Sequence, residues 1–441
     1  MKKYRIIGNM TGNSMDAIDL VLTDFDGDRM TDVCSYTKPY SDDMRQKVAR
    51  LRDMVTKEKM SMAVFEKSPE FSAFHDEYIS GIANAVQSMC QQNNIDPASI
   101  DAIGFHGKTL DHFPPSVAVK ENTKPYTLQV GSGQMLANLT GIPVIYDFRS
   151  APIMNNYEGA PLAPPHNAHV AITEGDGIYF NAGNTSNLAV IVNHKAVAGW
   201  DAGPFNDFTD NLIRRHTGNQ KAYDKDGMYA LKGTLMPALL KDLFDNSAIT
   251  DAGENFYNLP APKSGDPAFY HFDRISAFLN PGAHLNDVVH TSAYFSAYVA
   301  AHSLKYLPDK TVVPHHFILF GGGWHHPVAM QTFKDLLQGK GFVLPEHRDD
   351  FTRIQNRFKK ADVRYSTLGT YMEARLFADL ARYHLEGKTW ELPELVRDKK
   401  ELVLGVMRRP HQGPVNDRIN LAAKGWQSKE MVNVFSQKTY I

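Results

Sequence analysis

Only two cysteines, Cys34 and Cys90, occur among 441 residues, which excludes a disulfide framework and paired zinc-ligand spacing; a reducing compartment is expected. No apolar run reaches the ~18 residues that a membrane span needs, so no membrane partner is expected. Neither sign of charge dominates. The 47 Lys+Arg and 49 Asp+Glu leave a formal net charge of -2, without the basic field that draws a protein onto nucleic acid. Met1-Lys2-Lys3-Tyr4 runs within a few residues into Gly8-Asn9 with no apolar leader core, and a cytoplasmic location is expected. What is present is the 43% hydrophobic, 22% charged composition of an ordinary globular protein. The chain is too long for one core, so the reading is two domains of roughly 150 to 250 residues, a cleft between them and a small-molecule partner.

Residues 4–9 and 16–25 are rich in Ile, Val and Leu and bounded by Gly and Asn, which predicts a β-hairpin with its turn at 10–15. Helix-like spacing follows from about 41 to 95, then "IDAIGFHG" and "GIPVIYDF" read as buried strands, the second ending at Asp147. Strands alternating with helices predict an α/β architecture with a largely parallel sheet. The opening then recurs: "IYFNAGNTSNLAVIV" (178–192) is strand, turn, strand, with Gly183-Asn184-Thr185 against Gly12-Asn13-Ser14. A duplicated fold is the sharper reading, and two unrelated Gly-Asn hairpins the plainer one. Beyond lie helical stretches at 205–250 and 285–306, the strand "HHFILF" (315–320), Gly321-Gly322-Gly323, and helices at about 327–339 and 367–386.

A turn that offers backbone N–H groups and hydroxyls makes an anion-binding concavity. Two of them across a cleft suit a polyphosphate, with Asp16 and Asp19 suited to a Mg²⁺ ion rather than to phosphate itself. The alternative is a pair of hairpins whose Gly and Asn merely satisfy positive φ. Gly321-Gly322-Gly323 follows a strand and precedes a helix, where α/β folds bind nucleotides, although a plain tight turn reads the same. Asp201, before Gly203-Pro204, is expected on an irregular loop, as a general base or as a turn aspartate. "GFHGKT" (104–109) is not a Walker A motif, because position 102 is Ala where that motif needs Gly. The pairs His315-His316 and His325-His326, and His166 with His169, lack zincin spacing and read as structural or surface histidines.

Taken in order over residues 5 to 406, these motifs resemble the anhydro-N-acetylmuramic acid kinase family, a branch of the actin-like and sugar-kinase ATPases. Gly8 to Asp19 is similar to the family's opening phosphate hairpin, and Gly104-Phe105-His106-Gly107-Lys108-Thr109 to its Gly-x-His-Gly-Gln-Thr. "TGIPVIYDFR" ending at Arg149 and "GAPLAP" from Gly159 resemble the stretch lining the sugar site. Asn181 to Asn187 resembles the second phosphate hairpin, and Asp201-Ala202-Gly203-Pro204 the family's Asp-Thr-Gly-Pro. "YDKDG" (223–227), "PKS" (262–264), the triple Gly and Glu373-Ala374 complete the series.

The resemblance implies a two-lobed actin-like fold with a duplicated sheet and helix core, residues 1–150 forming one lobe and 151–441 the other. It implies ATP and Mg²⁺ as cofactors and a sugar as partner, and it allows a homodimer. Asp201 is implied as the catalytic base. Gly12, Asn13, Ser14, Met15, Asp16, Gly183, Asn184 and Gly321 to Gly323 are implied at ATP and its phosphates, Asp16 also near the metal. His106, Arg149, Gly203, Pro204 and Glu373 are implied at the sugar. The implied reaction opens 1,6-anhydro-N-acetylmuramic acid with water and phosphorylates O6, a step of cell-wall recycling. Departures stand at Pro152 for a second Asp, at Asn156, Tyr157 and Glu158 for Gly-Gly-Gln, and at Asp266, where an Arg-Glu pair is missing. His326, Thr370, Asn13 and Ala17 also differ. A kinase for another anhydro or free sugar, and a nucleotide-binding regulator without catalysis, therefore stay open.

Overall fold

In a computed structural model of the chain, the described residues are 2–12, 15, 17–115, 118, 124–160, 162–250, 252–261, 263, 265, 269–272, 283–307, 314–369, 371–390, 402–411, 413 and 415–425. They form two compact units, Met1–His166 with Tyr371–Ile441, and Asn167–Thr370. This division differs from the expected one at 150/151: the chain leaves the first unit later and comes back to it.

The first unit is built on β1 (Lys3–Thr11), β2 (Ala17–Asp26) and β3 (Arg29–Pro39), an antiparallel meander whose first two strands are buried through their middles. β4 (Ala102–Phe105) then pairs parallel with β1, and β7 (Val144–Tyr146) parallel with β4. β5 (Lys108–Phe113) and β6 (Tyr126–Val130) form a separate antiparallel pair. The second unit repeats the plan. β8 (Gly177–Ala182), β9 (Thr185–Val192) and β10 (Lys195–Pro204) form the meander, and β11 (His316–Phe320) and β12 (Asp362–Tyr365) add in parallel beside β8. The shared order is third, second, first, fourth, fifth strand. The α/β class and the duplication expected from the Gly-Asn turns are both present. In the first unit β13 (Val406–Arg408) extends the sheet antiparallel to β7.

Helix Pro69–Gln92 follows Ser68, whose hydroxyl caps it, and buries Phe71, Phe74, Tyr78, Ile82, Val86 and Met89 at helical spacing. These residues share a core with Ile7 of β1 and Ile103 of β4. The neighbouring strand residues, Gly8 and Gly104, point to the opposite face by the two-residue period of a strand. There helix Met372–Glu386 lies so close that a Cβ on Gly8 would collide with the Ala374 carbonyl, and one on Gly104 with the Phe377 carbonyl. This helix needs glycine at sites that belong to β1 and β4, which is why it returns to the first unit. No helix among the described residues is long and apolar enough to cross a membrane.

Gly104→Ala should therefore destabilise by about 3 kcal/mol or more, since backbone has to move to admit one methyl group. Gly81→Ala, inside helix Pro69–Gln92 with its nearest neighbour 3.8 Å from a new Cβ, should instead stabilise by about 0.5–1 kcal/mol. Urea unfolding of the two variants beside the parent chain measures both.

Candidate active site

In the first turn the described residues are Gly12 and Met15; Asn13, Ser14 and Asp16 lie outside the described residues. Met15 takes a positive φ of 55° and donates its N–H to the Gly12 carbonyl at 3.1 Å. Its side chain is 2% exposed and belongs to the core, so only its backbone faces the turn. The same Gly12 carbonyl accepts from the ammonium of Lys108 at 2.9 Å. Lys108 is wholly buried, and burial of an ammonium requires such bonding. The lysine of the failed P-loop motif thus still reaches the turn at Gly12. Sequence spacing could not show this, because its partner lies 96 residues away.

His106 and Arg149 meet in the first unit. The Arg149 Nε–H donates to His106 Nε2 at 3.1 Å, and a terminal N–H donates to the Gly159 carbonyl at 2.6 Å. His106 accepts at Nε2, so its own proton sits on Nδ1. Burial and then the Arg149 charge hold its pKa well below the usual imidazole value, and the ring is neutral. Burial draws the Arg149 guanidinium down to about 10 against the pull of Glu373, which leaves it a cation at neutral pH. Glu373 opens helix Met372–Glu386 and is solvent-exposed. Loss of hydration and then Asp19 push its carboxyl up, Arg149 pulls it back, and its contact with solvent moderates the balance. Asp19 itself accepts from the Thr37 hydroxyl at 2.8 Å. Asp147 sits at φ 57° and is structural: its buried carboxylate accepts the N–H groups of Ser150 at 3.2 Å and Leu421 at 2.9 Å.

In the second unit, Gly183 donates its N–H to the Thr185 carbonyl at 3.0 Å. The Gly183 and Asn184 carbonyls accept from Asn206 at 3.1 Å and Phe205 at 2.7 Å, where helix Asn206–His216 begins. The turn expected to present its amides thus spends the Gly183 N–H internally and binds the helix through its carbonyls. Asp201 also differs from expectation. It stands in strand β10 opposite Asn187, not on a loop, because a bulge between Asp201 and Gly203 absorbs the irregularity that Gly-Pro signals. Its N–H donates to the Lys263 carbonyl at 2.9 Å and its carboxylate accepts from the Gly265 N–H at 2.8 Å. Gly203 and Pro204 are buried, and the Gly203 carbonyl takes the Ser186 hydroxyl at 3.2 Å. Gly321, at φ 89°, has no room for a Cβ against the Ala182 carbonyl, whereas Gly322 is exposed with open space around it. Gly323 packs on Phe205 just before helix Pro327–Gln338.

Residues 4–409 match the family model described as anhydro-N-acetylmuramic acid kinase. The chain belongs to that family. It is accordingly a sugar kinase, a phosphotransferase that acts on a hydroxyl group. Solved structures that it resembles include component A of (R)-2-hydroxyglutaryl-CoA dehydratase from Acidaminococcus fermentans, at 10% identity, TM-score 0.41, and 87% and 100% coverage of this chain and that one. The activator of 2-hydroxyisocaproyl-CoA dehydratase from Clostridium difficile, with bound ADPNP, gives 9%, 0.41, and 88% and 100%. A ROK hexokinase from Thermus thermophilus gives 12%, 0.36, and 86% and 97%.

Several departures from the anhydro-N-acetylmuramic acid kinase pattern have structural settings. Pro152 is buried in the short helix Ser150–Met154, one turn from Arg149, and Tyr157 is buried close behind it. His326 lies 3.4 Å from the Asp224 carboxylate, which also accepts the Tyr229 and Ala230 N–H groups at 2.9 and 3.0 Å. Thr370 and Asp266 lie outside the described residues. His166 pairs with Asp379 at 2.9 Å where both are fully buried, a setting that agrees with a structural histidine.

Lys263 has a chemistry that its sequence neighbours do not signal. Its ammonium donates to the Phe256 and Tyr257 carbonyls at 2.9 and 3.3 Å and lies over the rings of Phe256 and Tyr306. Burial and then the Lys305 charge draw it down to about 7, with Asp201 opposing. Its reactivity toward an acetylating reagent, followed by mass spectrometry against pH, should rise through about 7, and Lys305→Met should move that midpoint upward. A midpoint near the ordinary lysine value would contradict this account.

Proposed function

We propose that the protein hydrolytically opens 1,6-anhydro-N-acetylmuramic acid and phosphorylates O6 at the expense of ATP, giving N-acetylmuramic acid 6-phosphate. The observation that carries this reading is Asp201, a carboxylate in strand β10 held by the Gly265 N–H, at the position that resembles the family's Asp-Thr-Gly-Pro. A water molecule is a poor nucleophile, so a positioned base is what the first step needs. Asp201 takes a proton from water as the water oxygen bonds to the anomeric carbon. The bond from that carbon to O6 breaks, and O6 takes the γ-phosphoryl group as ADP leaves. One proton is released to solvent when Asp201 resets.

On the first unit, Arg149 supplies a fixed cation suited to the sugar's carboxylate, and neutral His106 holds it in place. Lys108 beside Gly12 supplies positive charge at the phosphate hairpin, where phosphoryl transfer needs it. Mg²⁺ takes hard oxygen ligands, and the Asp16 and Asp19 carboxylates fit it. Bound there, it would neutralise charge on the phosphates. On the second unit, the open Gly322 beside its strand end suits a nucleotide.

Asp201→Asn should lower sugar-stimulated ADP release by about 10²–10⁴-fold with folding intact. Lys108→Met should raise the KM for ATP far more than the KM for sugar. A panel of anhydro sugars and their open forms, assayed with Mg²⁺-ATP, tests substrate and reaction together. Turnover of open sugars alone would reject the ring-opening step. The buried Pro152 in place of an acidic residue favours the second reading, an anhydro sugar with a different substituent, and the same panel separates the two.

A further inference from the structure

The chain continues past the family match, which ends at residue 409. Part of that continuation is built into the first unit. Asn420, 2% exposed, uses three polar atoms at once. Its N–H donates to the Gln129 carbonyl at 3.2 Å, its Oδ1 accepts the Gln129 N–H at 2.9 Å, and its Nδ2 donates to the Ser150 hydroxyl at 2.9 Å. Next to it, Leu421 donates its N–H to Asp147 at 2.9 Å and Ala422 to Ser150 at 2.8 Å. Asp147 and Ser150 flank Arg149, so three consecutive residues of the continuation grip the turn that aims this guanidinium. The grip has its own anchor. The Gly131 N–H donates to the Arg418 carbonyl at 2.9 Å, and the Asp417 carboxylate accepts the Ser132 hydroxyl and the Gln134 N–H where helix Gly133–Thr140 begins. Gln129 continues the chain of bonds through Thr127, whose hydroxyl lies 2.9 Å from His112 Nδ1.

We infer that residues 417–422 are a clamp, with Asn420 as its central positioning residue, that fixes the Arg149 turn for binding of the acidic sugar. The clamp rests on the reading of Arg149 as a sugar contact. Asn420 joins β6 to the Asp147–Ser150 turn, and its loss leaves the Gln129 N–H and the Ser150 hydroxyl without these buried partners. The turn then relaxes, and a displacement of about 1 Å at a positioning group is enough to weaken binding markedly. The clamp bonds the Arg149 turn directly through Asn420, Leu421 and Ala422, whereas it reaches the Gly12 carbonyl only indirectly, through the Val130–Lys108 strand pair, so its larger effect falls on the sugar side.

The test uses the full chain with Asn420→Ala, the milder Asn420→Ser, and Arg149→Lys, assayed with whichever sugar of the panel supports ADP release. Both Asn420 variants should raise the KM for sugar about tenfold while the KM for ATP stays within about twofold and the melting temperature shows a folded protein. Equal changes in both KM values, no change, or failure of both Asn420 variants to fold would overturn the clamp, the last because the segment would then serve only the core. If Arg149→Lys leaves the sugar KM unchanged, the assignment of Arg149 to the sugar falls and takes the clamp with it. If Arg149→Lys raises it and the Asn420 variants do not, the clamp alone falls.

Discussion

The close approach of helix Met372–Glu386 to β1 and β4 is the constraint on which the first unit depends. It requires two residues without side chains, Gly8 and Gly104, on adjacent strands. It also brings charge into the interior: Arg375 and Arg382 on this helix are each 1% exposed. Burying a guanidinium costs several kcal/mol unless it is paired and hydrogen-bonded. Arg375 meets the Asp32 carboxylate of β3, and Arg382 meets Asp379 and the Gly27 carbonyl. Asp32 and Gly27 lie on the meander, so the helix is set in rotation as well as in depth. Glu373, at the first turn of the same helix, inherits that orientation.

Ionised groups at the candidate site are held by neighbours that leave them little freedom. Arg149 is fixed by a neutral imidazole and a carbonyl, neither of which cancels its charge. Lys108 donates to a carbonyl of the hairpin. Hydrogen bonds of this kind orient both cations, and Arg149 keeps its charge at neutral pH while Glu373 pulls on it. Asp201 is different in kind. It is bound by a backbone amide on a neighbouring segment, and its surroundings include a lysine whose own charge is marginal at neutral pH.

Local chemistry was legible in the sequence. Gly-Asn turns between apolar runs marked both hairpins, and the strand, Gly and helix pattern at 316–338 stood out, because turn geometry and periodicity are properties of neighbouring residues. The rest was set at long range. Gly203-Pro204 reads as a chain breaker, but a bulge lets β10 continue through it. The boundary of the first unit depends on Gly8 matching a carbonyl more than 360 residues later, and the role of Lys108 on a partner in another strand pair. The stretch after residue 409 carries no periodic signal, since its hold on the fold comes from single polar atoms meeting distant ones.

The repeated meander places its cross-strand pairs in comparable positions. In one copy Ala17 faces Pro39 at the end of the second and third strands, and Asp19 faces Thr37. In the other, Thr185 faces Pro204, and Asn187 faces Asp201. The acidic residue stands on the second strand in one copy and on the third in the other, with a neutral polar residue opposite it each time. A duplicated scaffold can thus specialise by exchanging which side of a pair is charged while both sheets stay intact. On the proposed reading, one copy's carboxylate serves a cation and the other's takes a proton.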